Sequence, residues 1–290
     1  MTSARKLAIF GTLLSCWAWL LGAPLAYAQA PSENHLASTG AYYTSFDSTR
    51  IYYEVQGQGP AVILVHGFTS TLAGWKNTPL CSELRAQGYQ VVMLDLRGNG
   101  RSSKPASLAG YEHDAEARDV MGLATALGLA RYQLVGYSRG SIIAARLLEL
   151  DPRVTAAVLG GMGEAFTNPD WPRRIAFYQA LSGEKASPEL ESFVQSLPAR
   201  GLDRQTLAWQ QQAQPSTSVA TLARVHVPVL VISGADDHDN GSAEALGQLL
   251  PGAVVKRVPG THGTTVQSAG FAHEVSLFLQ QSRRKATPAR

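Results

Sequence analysis

Hydrophobic and polar positions along the chain follow two alternating rhythms. Short, nearly continuous apolar runs at Ala61–His66 (AVILVH), Gln90–Leu94, Tyr132–Tyr137, Val154–Leu159, Val229–Ser233 and Val254–Val258 read as strands buried on both faces. Ahead of them, Tyr42–Phe46 and Ile51–Gln56 alternate apolar and polar residues around an Asp47-Ser48-Thr49 turn, as two antiparallel strands do. Helical periodicity fills the intervals, roughly 73–87, 112–128, 139–150, 242–250 and 264–281. Strands alternating with helices predict an α/β domain whose mostly parallel sheet is covered by helices on both faces. Sheets of that kind meet ligands beyond the carboxyl ends of their strands, so the chemistry is expected just after each run. Residues 161–222 interrupt the rhythm. They hold Pro169, Pro172, Pro188, Pro198 and Pro215 among amphipathic stretches, with no strand-like run, and read as a helical cap inserted between two strands.

The first residues carry a different signal. Arg5 and Lys6 precede the apolar stretch Leu7–Leu21, Pro24 interrupts it, and Ala26-Tyr27-Ala28 has small residues at both A-x-A positions. A secretory signal peptide spanning 1–28 is expected, with 29–290 as the mature, periplasmic or secreted domain. An uncleaved membrane anchor is the competing reading, disfavoured by the short apolar span. Cleavage removes two basic residues and no acid, lowering the formal charge from +3 to +1, and the remaining chain has no second long apolar run, so no stable membrane insertion is expected. With 45% hydrophobic and 16% charged residues the chain is not an extended disordered one. So small a net charge gives no field for a nucleic acid. Cys16 and Cys81 are too few for a disulfide scaffold or a four-cysteine zinc site, and Cys81 reads as a small buried apolar residue.

Candidate chemistry sits where the strands end. Gly136-Tyr137-Ser138-Arg139-Gly140 follows one run and opens the helix 139–150. A sharp strand-to-helix turn lifts the central hydroxyl above the sheet, and glycines two positions either side are needed because side chains there would collide with the neighbouring strand or helix. His66-Gly67-Phe68 ends another strand; the N–H of Phe68, with that of Arg139, is placed to bind a developing oxyanion. His66 reads as a structural residue bonded to loop backbone, and Asp95 and Arg97, in Asp95-Leu96-Arg97-Gly98-Asn99-Gly100-Arg101-Ser102, as organisers of a tight loop. An EF-hand frame from Asp236 fails at His238 and Gly247, and there is no H-E-x-x-H helix, so no metal site is expected.

HGF, DLRGNGRS, GYSRG, GADD and a late His262, in this order at strand ends, resemble the α/β-hydrolase superfamily over residues 40–281, specifically its serine hydrolases with a helical cap. The resemblance implies an eight-stranded, mostly parallel sheet and a catalytic Ser–acid–His triad in that chain order. Ser138 then takes the nucleophile position and His262, in Pro259-Gly260-Thr261-His262-Gly263, the base. The family's G-x-x-D spacing puts the acid at Asp237; a one-residue change in the turn would hand that place to Asp236, and Glu164 is a remote third choice. Dehalogenase and epoxide-hydrolase branches carry aspartate at the elbow, so Ser138 points instead to acyl transfer. An ester is the expected small-molecule substrate, with amide, peptide, lactone or carbon–carbon bonds and a non-catalytic binding protein as alternatives, and no cofactor is called for. Trp75, Met162, Phe166, Trp171, Phe177 and Tyr178 are candidates for an apolar pocket or, equally, for packing between cap and core. Arg173 and Arg174 read as a solvated helix face that would otherwise greet an anionic substrate.

Overall fold

In the computed structural model, residues 40–286 are described, with the side chains of the last two excepted. The expected signal peptide, Cys16 and the final residues 287–290 lie outside that range. Eight strands, β1 (Ala41–Thr44), β2 (Arg50–Gln56), β3 (Ala61–Val65), β4 (Gln90–Leu94), β5 (Tyr132–Tyr137), β6 (Val154–Gly160), β7 (Val229–Gly234) and β8 (Val254–Val258), form one sheet in the order β1-β2-β4-β3-β5-β6-β7-β8. β2 runs antiparallel to both neighbours and every pairing from β4 to β8 is parallel. The apolar runs are continuous because the inner strands are covered twice. Along β3, Ala61, Ile63 and Val65 enter one core while Val62 and Leu64 enter the other.

The first core is closed by α3 (Ala115–Ala126), α4 (Arg139–Leu150) and α9 (Ala243–Gln248); the second by α1 (Ala73–Lys76), α2 (Pro79–Ala86) and α11 (Ala269–Ala286). Where one helix is expected over 73–87, the chain makes two. Pro79 has no N–H to continue α1, and the Thr78 hydroxyl accepts from the Cys81 N–H to start α2 afresh. The late helix is likewise two: α10 (His262–Thr265) ends before Ser268, whose hydroxyl accepts from the Phe271 N–H and opens α11. His113 and Asp114, expected to be helical, are both left-handed (φ 56° and 59°), so α3 begins at Ala115. Cys81 is buried and free.

Between β6 and β7 the chain is helical: α5 (Pro172–Ser182), α6 (Pro188–Ser196), α7 (Arg204–Gln212) and α8 (Val219–Leu222). Ser187 and Asp203 cap α6 and α7, and Leu181, Leu197, Leu207 and Ala208 make a small core of their own. Among the described residues no helix is long and apolar enough to cross a membrane.

One buried guanidinium ties the sheet edge to the helical layer. Arg97, fully buried, grips Asp119 of α3 through Nε (2.7 Å) and Nη2 (2.6 Å), and its Nη1 reaches Asp47 in the β1–β2 turn (2.8 Å) and the Gly110 carbonyl. Burial works against charge on Asp47, but the hydrogen bonds from Arg97 and Thr49 outweigh it and hold its pKa at about 2. A carboxyl depressed in the folded state stabilises above its unfolded pKa, about 4, and loses that contribution as pH falls through the folded value. Asp47→Asn should therefore be less stable than wild type at neutral pH, and the gap in unfolding free energy should narrow between about pH 4 and pH 2 in urea titrations. A gap independent of pH would remove Asp47 from the ledger.

Candidate active site

The turn from β5 into α4 is built by two backbones in near contact. A Cβ on Gly136 would lie 2.2 Å from the Gly140 carbonyl oxygen, and one on Gly140 would lie 2.1 Å from that of Val65. With both positions bare, Ser138 adopts φ 56°, ψ −124°, a conformation non-glycine residues seldom take. Its N–H donates to the Gly160 carbonyl of β6 (2.8 Å), and the Ser141 N–H donates back to the Ser138 carbonyl (2.8 Å). The hydroxyl is left free to face a second side chain.

That side chain is His262. Its Nε2 lies 3.0 Å from Ser138 Oγ and its Nδ1 lies 2.9 Å from Asp237 Oδ2. A carboxylate only accepts, so Nδ1 carries the hydrogen and Nε2 offers its lone pair to the serine hydroxyl. Thr261 and Thr264 cap α10 reciprocally, and the Tyr137 hydroxyl donates to the His262 carbonyl (2.7 Å) while its ring backs the imidazole at 5.4 Å. Burial pushes the Tyr137 phenol well above its ordinary pKa, so it remains a donor. Asp237 is 5% exposed. Burial alone would raise its pKa, but hydrogen bonding and attraction to His262, together with the Asp239 N–H, hold it below the ordinary carboxyl value.

The neighbouring acids have other places. Asp236 is exposed, and Glu164 accepts from the Ser242 N–H (2.7 Å). Asp239 joins Asp237 and His262 in a cluster of three ligand-type side chains, but the imidazole and Asp237 are already spent on each other and Asp239 is half exposed. Asn240, which the sequence does not single out, donates to the Gly161 carbonyl (3.1 Å) and packs 3.4 Å from His262 Nδ1.

On the other side of the serine, Phe68 and Arg139 stand on the cleft wall. Neither of their N–H groups has a protein acceptor among the described residues. Asn99 fixes the loop after β3 by donating to the carbonyls of Phe68 (3.0 Å) and Ser70 (3.1 Å). Asp95 accepts from the N–H groups of Leu72 (2.7 Å) and Arg101 (2.8 Å). His66 is buried, donates from Nδ1 to the Gly67 carbonyl and accepts the Leu96 N–H at Nε2, and burial pushes its pKa down, so it stays neutral.

Ser138 and His262 open onto a cleft of about 380 Å³, a volume suited to a small molecule. Trp75, Met162, Trp171 and Phe177 line it, as does Phe193 from α6. Phe166 does not: it is 1% exposed and packs into the first core, the short turn that carries it lying against α9. Tyr178 is also absent from the wall. Arg173 and Arg174, expected on a solvated face, both border the cleft. Phe193 and the cleft's glutamines, Gln211, Gln214 and Gln267, carry no sequence signal that separates them from ordinary helix residues.

Residues 60–186 match the family model described as alpha/beta hydrolase fold. A non-heme chloroperoxidase of Streptomyces lividans is 31% identical over 259 residues, covering 76% of this chain and 92% of the relative. Two solved structures share the architecture. A hydrolase from Pseudomonas aeruginosa PA01 is 27% identical with a TM-score of 0.67, covering 84% of this chain and 99% of that one. The esterase RhEst1 from Rhodococcus sp. ECU1013 is 26% identical with a TM-score of 0.64, covering 83% and 98%. With this fold, this strand order and these likenesses, the chain belongs to the α/β-hydrolase family.

Proposed function

We propose that the protein is an exported serine hydrolase that cleaves carboxylic esters through a Ser138–His262–Asp237 triad. The observation that carries this reading is the unbroken line Oγ–Nε2 at 3.0 Å and Nδ1–Oδ2 at 2.9 Å, with the hydroxyl facing a cleft. A serine hydroxyl is a weak nucleophile at neutral pH because it keeps its proton; His262 accepts that proton as Oγ attacks the ester carbonyl. Asp237 holds the imidazole in the required tautomer and stabilises the imidazolium that forms. The N–H groups of Phe68 and Arg139 stabilise the tetrahedral oxyanion, each such donor being worth about 3–4 kcal/mol in related chemistry. His262 then protonates the departing alcohol, leaving an acyl-serine. Water, deprotonated by the same ring, attacks the acyl carbon, and the acid and the free serine are released.

The name of the Streptomyces relative favours a second reaction of the same intermediate. Hydrogen peroxide in place of water would release a peroxyacid, which oxidises chloride to hypochlorous acid as it returns to the carboxylic acid. Adding peroxide, acetate and chloride to the purified protein and measuring chlorination of a phenol distinguishes this from plain ester cleavage.

Two sets of variants test the triad. Ser138→Ala should lose both ester turnover and fluorophosphonate labelling while its thermal midpoint stays within a few degrees; labelling that persists elsewhere would dismiss Ser138 as nucleophile, and a wild-type protein that takes no label would be a binding protein. Asp237→Asn should lower kcat by about 10⁴-fold, as the corresponding change does in a serine protease, whereas exposed Asp236→Asn should stay within a few-fold of wild type. Comparison of 4-nitrophenyl esters with aminoacyl anilides and lactones separates ester cleavage from the alternatives. Export through cleavage after Ala28 predicts a mature chain starting at Gln29, read by mass spectrometry of the secreted protein.

A further inference from the structure

The wall of the cleft is electrically one-sided. Among the described residues it carries three guanidinium groups, Arg139, Arg173 and Arg174, and not one carboxylate. Arg139 is compensated from behind: its Nη2 and Nε donate to Glu116 (2.6 and 3.3 Å), with both side chains buried. The other two are not compensated in this way. Arg173 meets Asp239 only at 3.7 Å, with the side chains 41% and 49% exposed, a pair that water and salt screen. Arg174 has no carboxylate partner among the described residues. Its Nη1 donates to the Gln211 carbonyl (3.1 Å) and its Nη2 to the Pro169 carbonyl (2.6 Å). Those two bonds fix where the guanidinium sits and engage two of its N–H groups; the Gln211 carbonyl, in the last turn of α7, offers it a partial dipole and not a full negative charge.

The helix that carries them does not account for this placement, although Gln211 lies in the last turn of α7, whose C-terminal carbonyls favour a cation. Arg173 and Arg174 occupy the first turn of α5, where the helix dipole disfavours cations. That turn holds no acidic residue, and Trp171 at the N-cap position supplies no side-chain acceptor. An anchored, uncompensated guanidinium on the wall of a cleft is better suited to a ligand anion than to its own helix.

We infer that the cleft takes an ester that also bears a carboxylate, held by Arg174 with Arg173 while its ester carbonyl lies against Ser138. A half-ester of a dicarboxylic acid is the simplest such molecule. The inference rests on the ester-hydrolase reading of the same site and adds to it a substrate class. Arg174, held by two protein bonds, supplies the planar fork that suits a carboxylate, and Arg173 adds a more mobile charge at the mouth.

The experiment compares 4-nitrophenyl half-esters of glutaric through suberic acid with 4-nitrophenyl esters of monocarboxylic acids of equal chain length. In wild type, kcat/KM for the half-ester should exceed that of its neutral counterpart by about tenfold or more at low ionic strength, peak at one chain length and decline with salt. Arg174→Gln should bring the ratio near unity, Arg174→Lys should keep part of it, and Arg173→Gln, at an exposed position that folding tolerates, should lower it less. A parallel arm measures binding of intact half-ester and neutral ester to Ser138→Ala protein by calorimetry, with and without Arg174→Gln. If neutral esters are turned over equally well and neither arginine variant moves the ratio, the anionic subsite is overturned and the hydrolase reading stands. If no ester is turned over but the half-ester binds the Ser138→Ala protein and loses affinity with Arg174→Gln, the subsite stands and the hydrolase reading falls. Neither turnover nor binding overturns both.

Discussion

The site depends on a close approach between backbones at the end of β5. Gly136, Gly140 and the Val65 carbonyl are packed so tightly that even a methyl group has no room, and that interlock holds Ser138 at a positive φ. Such a conformation costs of order 1–3 kcal/mol and persists only where its surroundings over-determine it. Here the Ser138 N–H to Gly160, the Ser141 N–H to Ser138 and the Ser141 hydroxyl to Gly160 do so. The strain has a consequence for chemistry. It turns the hydroxyl out of the sheet toward His262 and leaves the Arg139 N–H, the first of α4, without a protein acceptor among the described residues.

The partners of that serine come from separate strand ends, and each is steadied by contacts that leave the atoms facing the serine free. His262 is held through its own backbone, by the capping of α10 and by Tyr137, so the ring keeps both nitrogens for Asp237 and Ser138. Asp237 is buried beneath the loop in which Asp236 and Asp239 remain exposed, so only one of the three acids is both close to the imidazole and shielded from water. The loop after β3 takes its shape from Asn99, which Gln210 of α7 in turn grips at 2.6 Å. A residue of the helical segment thereby braces the loop that carries the Phe68 N–H. The same segment supplies the aromatic and cationic wall facing the serine, so the part of the chain that interrupts the strand–helix rhythm is also the part that shapes the cleft.

Legibility differed by element for physical reasons. Every strand from β3 to β7 could be placed to within a residue, because burial on both faces demands apolar side chains without interruption, and few other structures ask for that; β8, expected to be buried on both faces, is the exposed edge strand, and its Lys256 and Arg257 interrupt the run. Helix ends were harder. The single helices expected over 73–87 and 264–281 each proved to be two, since Thr78 with Pro79, and Ser268, restart the chain at caps that hydrophobic periodicity does not register. His113 and Asp114 kept the helical pattern of their neighbours yet turned left-handed, a choice made by how the preceding loop meets α3.

The linear order of residues determined the layered sheet, the elbow with its obligatory glycines, and the candidates Ser138, Asp237 and His262, because strand burial and backbone approach impose residue types at fixed spacing. What only the tertiary structure decided is which acid faces the imidazole, that Phe166 enters the core while Phe193 lines the cleft, and that Arg174 stands on the wall with no carboxylate partner among the described residues. Those are matters of where side chains from distant segments converge and what charge remains after they have paired. A local pattern holds no record of either, since the same arginine beside the same tryptophan reads alike on a solvated helix and on the wall of a cleft.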